Sequence, residues 1–61
     1  MRLEVQLITG EWKLFDGNRE DVGDWVFRTV DRPLRKTLGV DAAKAEASAV
    51  FDALFFRPEF K

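Results

Sequence analysis

Neither cysteine nor histidine occurs in this chain of 61 residues, and that double absence limits how the chain can be stabilised. Without cysteine there are no disulfide bonds and no zinc–thiolate sites, and without histidine the commonest metal ligand is missing. A chain this short buries only about 60% of the surface that it exposes when unfolded. Residues 1–61 are therefore expected to form one small domain without metal or cofactor, and association into a homodimer is the remaining common means of stabilisation.

The N-terminal segment has the pattern of a β-hairpin. Apolar and polar residues alternate between positions 3 and 7, which predicts a half-buried strand. If Thr9 and Gly10 form a two-residue turn, Leu7 faces Trp12 and apolar residues meet apolar residues on one face. This register places Trp12 in the core. Thr-Gly is a weaker turn pair than Asn-Gly, so a longer loop is the alternative.

The middle of the chain is predicted to continue the sheet. Residues 25–30 (Trp-Val-Phe-Arg-Thr-Val) are mostly β-branched or aromatic, which favours a third strand. Residues 31–40 fit two alternatives. In the first, Asp31 caps a short helix with Pro33 in its first turn and Gly39 as its left-handed end. In the second, Asp31 begins a turn and residues 34–40 form a fourth strand.

A C-terminal helix is predicted over about residues 42–56, with Asp41 as its N-cap and Pro58 preventing its continuation. Its apolar residues recur at the period of a helix and form one stripe. That stripe comprises Ala43, Ala47, Val50, Phe51 and Leu54. Phe55 and Phe56 fall on either side of it, so one of these two rings must face outward.

These elements predict an α+β fold, in which an antiparallel sheet of three to four strands packs against one C-terminal helix. If residues 31–39 are helical instead, the C-terminal half becomes a helix–turn–helix. The longest apolar runs have about four residues, whereas a membrane span needs about 20. The first residues alternate apolar and charged, unlike a signal peptide, and the chain has no cysteine, so we expect a cytoplasmic protein.

Few residues suit catalysis. Ser48 is the single serine, and it lies in the predicted helix without a histidine to activate it. Lys44 precedes it by one helical turn, but two such residues are typical of an exposed surface. We therefore expect a non-enzymatic protein.

The densest group of oxygen ligands lies in the loop that follows the hairpin. Asp16, Asn18 and Glu20 resemble the start of a calcium-binding loop, whose alternate oxygens converge on one ion. The pattern then breaks, because Asp21 and Phe27 occupy the positions that require glycine and a bidentate glutamate. An ordinary charged turn is the better interpretation.

Charge is segregated along the chain although the net charge is only −1. Residues 1–24 hold three basic and six acidic residues, whereas residues 25–44 hold five basic and two acidic ones. The five basic residues are Arg28, Arg32, Arg35, Lys36 and Lys44. Clustered basic charge of this kind indicates a surface for an anionic partner, and an ordinary solvated surface with chance clustering is the alternative that base rates favour.

Three segments of the sequence carry a resemblance. They are Gly-Asp-Trp-Val-Phe-Arg at 23–28, Leu-Arg-Lys-Thr-Leu-Gly-Val at 34–40, and the alanine-rich stretch that begins at Asp41. Over about residues 23–56 they resemble the N-terminal DNA-binding domains of phage-type tyrosine recombinases and the plant ethylene-response-factor domain. The resemblance implies a three-stranded sheet backed by one helix, with Trp25, Arg28, Arg35 and Lys36 contacting DNA.

Two functions follow as hypotheses. The first is a small nucleic-acid-binding module that acts through a basic segment at residues 28–36. Its predicted site comprises Trp25, Arg28, Arg32, Arg35 and Lys36. The second is a protein-binding or self-associating accessory protein, whose interface would comprise Phe55, Phe56 and Phe60.

Overall fold

An N-terminal hairpin is followed by two helical rods in a computed structural model that describes residues 2–58. The hairpin consists of β1 (Arg2–Gln6) and β2 (Trp12–Asp16). A 3-10 turn (Arg19–Asp21) leads into the first rod, which consists of α1 (Val22–Val26), a π turn (Phe27–Asp31) and α2 (Arg32–Leu38). The second rod is the single helix α3 (Val40–Phe55). The fold is α+β. None of the helices described between residues 2 and 58 is long and apolar enough to cross a lipid bilayer.

The hairpin forms where the alternation predicts it, but its register differs by one residue. Gln6 pairs with Trp12, and beyond this pair Leu7 N–H donates to the carbonyl of Glu11 at 2.8 Å, which leaves residues 8–10 as the loop. The loop therefore holds three residues, and Gly10 takes a φ of +92° that favours glycine. One extra loop residue turns β2 over. The prediction that Trp12 belongs to the core is therefore wrong, because its side chain is 64% exposed.

Residues 25–30, predicted as a third strand, are helical. Val22, Val26, Val30 and Leu34 are all buried, and they recur every four residues. In a regular α-helix four residues turn through about 400°, so such a stripe drifts by about 40° at each step. The π turn removes this drift, because its backbone bonds join residues five apart, as Arg32 N–H does to the carbonyl of Phe27. Within residues 2–58 the sheet consequently has two strands, where the sequence predicted three or four.

Gly39 separates the two rods and settles the alternatives for residues 31–39. Its φ of +89° and ψ of 167° lie in a region that is essentially restricted to glycine. Residues 32–38 are helical, as the first alternative predicts, and Gly39 ends that helix. Asp31 does not cap it, because the helical backbone continues through Asp31 and its side chain forms no cap hydrogen bond. The next helix starts at Val40, so Gly39 also precedes it as N-cap and Asp41 lies in the first turn. The prediction that Asp41 is the N-cap is wrong.

The core lies between the two rods and the inner face of the hairpin. The helical stripe of α3 is confirmed, since Ala43, Val50 and Leu54 are buried and Ala47 and Phe51 pack against them. The other buried apolar residues are Leu7, Phe15, Val22, Val26, Val30 and Leu34. Two contacts attach the hairpin to the helices. The ring of Phe15 meets Trp25 edge-on with centroids 5.4 Å apart, and Ile8 N–H donates to the carboxylate of Glu46 at 2.7 Å.

Candidate nucleic-acid interface

The π turn produces a surface groove on the first helical rod. In a regular α-helix Phe27 and Arg32 would stand about 140° apart around the axis. The bond from Arg32 N–H to the Phe27 carbonyl instead brings residue 32 back over residue 27, and Lys36 follows one α-helical turn later. The groove so formed has a volume of about 690 Å³. Its walls comprise Phe27, Arg32, Pro33, Arg35, Lys36 and Thr37.

The three cations in this groove differ in their partners. Arg35 Nε donates to Asp31 Oδ1 at 2.8 Å, and its Nη2 donates to the other carboxylate oxygen at 3.1 Å. These bonds lower the pKa of the Asp31 carboxyl and raise that of the Arg35 guanidinium. Arg32 and Lys36 are exposed, and neither forms an ion pair within residues 2–58. Two positive charges are thus available to an anion.

The remaining two predicted contact residues lie elsewhere. Trp25 and Arg28 line a second, smaller depression of about 240 Å³, together with the carboxylates of Asp16, Asp21 and Asp24. Asp24 binds Arg28 across one helical turn, with Arg28 Nε donating to Oδ1 at 3.2 Å. The Trp25 ring is half-buried, and its contact with Phe15 holds it in the hairpin–helix junction. The five residues of the predicted site are therefore divided between a basic groove and an acidic depression.

Phe27 is the groove residue that the sequence prediction missed. Its ring is 48% exposed, whereas its helical neighbour Val26 is buried. As part of a presumed strand, Phe27 was indistinguishable from a core residue. The four-residue spacing from Val22 to Leu34 is the signal that identifies a helix here and leaves Phe27 on its outer side.

The loop that resembles the start of a calcium site is used for helix capping. Asp21 accepts the backbone N–H of Asn18 at 2.8 Å and so fixes the entry to the first rod. Across the part of the chain that the structure describes, no group of three or more carboxylates is placed to hold a metal ion.

The C-terminal aromatics form a short row of rings. Phe55 stacks on Phe51 with centroids 5.0 Å apart, and Phe56 meets Phe55 edge-on at 5.1 Å. The guanidinium of Arg19 lies 5.5 Å from the centroid of the Phe55 ring, a cation–π distance. Phe56 is 70% exposed, so one of the two predicted rings does face outward. Phe60, the third residue of the predicted interface, lies outside the described residues.

No protein-family model, no curated protein and no solved structure matches this chain. The similarity to the recombinase and ethylene-response-factor domains stays a prediction. The segment that it covers is helical up to Leu38 in this fold, so its basic residues lie on a helix and not on a sheet face. The argument for function therefore depends on the groove itself.

Proposed function

We propose that this protein is a small, non-enzymatic, cytoplasmic nucleic-acid-binding module that acts through its basic segment at residues 28–36. One observation carries the proposal. Arg32 and Lys36 are exposed without a carboxylate partner among residues 2–58, and they share a groove with the exposed ring of Phe27. No carboxylate is among the groove-lining residues. Cations neutralise phosphates, and a positively charged groove that also presents an aromatic ring is typical of proteins that bind nucleic-acid strands.

The charges of the groove determine how strong the binding of nucleic acid is and how it depends on salt. Each phosphate that a lysine or arginine neutralises releases condensed counterions, and this release supplies most of the sequence-independent affinity. With two unpaired cations, and a net charge of −1 over the whole chain, the affinity is modest and depends on salt. Arg35 contributes less than Arg32 or Lys36, because Asp31 already binds its guanidinium with two hydrogen bonds.

The two predicted residues outside the groove take secondary roles. The pairing of Arg28 with Asp24, and the carboxylates of Asp16 and Asp21 beside it, oppose a phosphate in that depression. In this proposal Trp25 supports the site through its contact with Phe15 and does not stack on a base. Replacing Arg28 with alanine should therefore weaken binding less than replacing Lys36.

Salt-dependent binding tests the proposal. Labelled DNA and RNA oligonucleotides, both single-stranded and duplex, are titrated with the wild type and with the double variant Arg32→Ala/Lys36→Ala at several salt concentrations. The slope of log affinity against log salt should flatten by about 0.7 to 0.9 for each cation removed. Arg2→Ala is the control for one lost charge, since Arg2 is exposed on the hairpin and lies 4.0 Å from Asp16.

Two results would contradict the proposal. The first is a wild type that binds none of these nucleic acids at low salt. The second is a double variant that binds as the wild type does, with an unchanged salt slope. Exposed substitutions usually change stability by less than about 0.5 kcal/mol, so unfolding of the variants should not complicate either result.

A specific observation favours self-association as a second candidate function. Phe56 is largely exposed at the end of the ring row, and Trp12 and Leu14 are exposed side by side on the outer face of the hairpin. Exposed apolar side chains that form a contiguous patch typically mark an interface. In this alternative at least one of Phe55, Phe56 and Phe60 contacts a second copy of the chain, and the two copies form a homodimer.

Mass measurements by sedimentation at several protein concentrations test the alternative. Replacing Phe56 with serine should lower the average mass in solution and make thermal stability depend less on protein concentration. Phe27→Ser is the matched control, because Phe27 is an exposed ring on the first rod that this alternative does not use. A wild type that remains monomeric up to millimolar concentration would refute self-association.

A further inference from the structure

Phe27 lies outside the buried stripe of the first rod, and about half of its surface is exposed. The buried residues of the first rod are Val22, Val26, Val30, Asp31 and Leu34, and Phe27 is not among them. Helical geometry would tolerate a polar residue at position 27, since about half of the side chain faces water. The ring is the aromatic part of a groove that is also lined by Pro33 and by three cationic side chains.

The dimensions of the groove suit a short piece of a nucleic-acid strand. Nine residues separate Phe27 from Lys36, and at about 1.5 Å per residue they span roughly 13 Å of helix axis. A stacked strand advances about 3.4 Å per phosphate, so this length corresponds to roughly four nucleotides. Arg32 lies between the ring and Lys36, which places the unpaired cations to one side of the aromatic face.

We propose that the groove binds single-stranded nucleic acid, with one unpaired base stacked on Phe27 and the neighbouring phosphates on Arg32 and Lys36. This inference rests on the proposed function and names its ligand class. In a duplex the base faces are occupied by their stacked neighbours, so a ring in a groove has nothing to stack on. A single strand exposes those faces, and every base has one, so the preference does not depend on sequence.

Fluorescence anisotropy with one labelled oligonucleotide of mixed sequence, presented alone and as its duplex, tests the inference. The proteins are the wild type, Phe27→Leu, Phe27→Trp and Arg32→Ala/Lys36→Ala, with Phe56→Leu as a control for an exposed ring elsewhere. The wild type should bind the single strand at least tenfold more tightly than the duplex. Loss of a stacked base typically costs 1–3 kcal/mol, so Phe27→Leu should weaken single-strand binding by about 5- to 150-fold. It should leave duplex binding unchanged.

The remaining variants separate stacking from folding. Phe27→Trp keeps an aromatic face, so it should retain or increase single-strand affinity, and far-ultraviolet circular dichroism should show that each variant keeps its helices. Phe56→Leu should bind as the wild type does. If Phe27→Trp loses affinity as Phe27→Leu does, stacking is excluded.

The outcomes distinguish this inference from the proposal on which it rests. If the wild type binds through Arg32 and Lys36 but prefers neither form, or if Phe27→Leu binds the single strand normally, base stacking is wrong and the nucleic-acid module stands. If the wild type binds neither the single strand nor the duplex at low salt, both fall together.

Discussion

The observed fold and the sequence prediction disagree at Val22, and the disagreement can be measured as a change in the free energy of unfolding. Between the predicted strands, residues 16–24 have the composition of a charged loop with Val22 as their one apolar residue, whereas the structure makes Val22 the first residue of α1 and leaves none of its surface exposed. Val22→Ala shortens the side chain by the equivalent of two methylene groups. Burial of each contributes about 0.8 kcal/mol to the free energy of unfolding, and the resulting cavity adds to that loss. The better helix propensity of alanine returns up to about 0.5 kcal/mol. The expected net loss is about 1.5 to 2.5 kcal/mol.

That loss is large for this chain. At about 0.05 to 0.15 kcal/mol per residue, a protein of 61 residues has a free energy of unfolding of roughly 3 to 9 kcal/mol. A loss of 1 kcal/mol lowers the melting temperature of so small a domain by about 4 to 8 °C, so Val22→Ala should melt at least about 6 °C below the wild type. Urea and thermal unfolding followed by circular dichroism measure both quantities.

Val40→Ala is the matched control. Val40 is also the first residue of its helix, but it is 53% exposed, so the same two carbon groups are lost with little burial. Its free energy of unfolding should stay within about 0.5 kcal/mol of the wild type. If Val22→Ala is as stable as Val40→Ala, residue 22 is not buried and the reasoning from the four-residue stripe is refuted.

Three further predictions address charge, backbone and register. The bond from Arg35 lowers the pKa of Asp31 below its ordinary 3.8, so this pair stabilises the fold above that pH. The difference in unfolding free energy between the wild type and Asp31→Asn should therefore shrink as the pH falls through the lowered pKa. Urea titrations over an acid series measure this difference, and a difference that stays constant would contradict the prediction. Gly39→Ala should cost about 1–3 kcal/mol through backbone strain alone, since a Cβ there meets no atom within 4 Å, whereas Gly23→Ala, with a Cβ 3.7 Å from a neighbouring ring, should be neutral or stabilising in the same unfolding assay. Trp12→Thr should change the unfolding free energy by less than about 0.5 kcal/mol, because the observed register turns this side chain outward; a core-sized loss would support the two-residue turn instead.

The periodicity of apolar residues predicts an element correctly where a single period, either that of a strand or that of a helix, runs through the whole element. The alternation at Leu3, Val5 and Leu7 predicted β1, and the 3.6-residue period predicted α3 with its stripe. The hairpin register depended on whether the loop had two or three residues, which Thr9 and Gly10 do not determine locally. One residue in that count moved Trp12 from the core to the surface.

The first helical rod was missed because its local composition and its spacing give opposite signals. Residues 25–30 have the composition of a strand, and a helix of regular pitch does not keep apolar residues four apart on one face. The π turn reconciles them through packing of the stripe against α3, a tertiary effect. The charge count predicted Arg32 and Lys36, both of which line the groove, because clustering along the sequence does not depend on the element. It did not identify Phe27, since an aromatic residue in a presumed strand is assigned to the core.

The single-residue connection at Gly39 also bears on how fast this protein folds. The two helical rods meet after a loop of minimal length, and the two strands meet across a loop of three residues, so most of the structure forms between neighbours in the chain. Closing such short loops costs little chain entropy, and folding rates rise as the separation between contacting residues falls. Refolding is therefore expected within microseconds to milliseconds. Docking of the completed hairpin onto α3, through the hydrogen bond from Ile8 N–H to Glu46, is the step that joins distant parts of the chain, because these two residues are 38 positions apart.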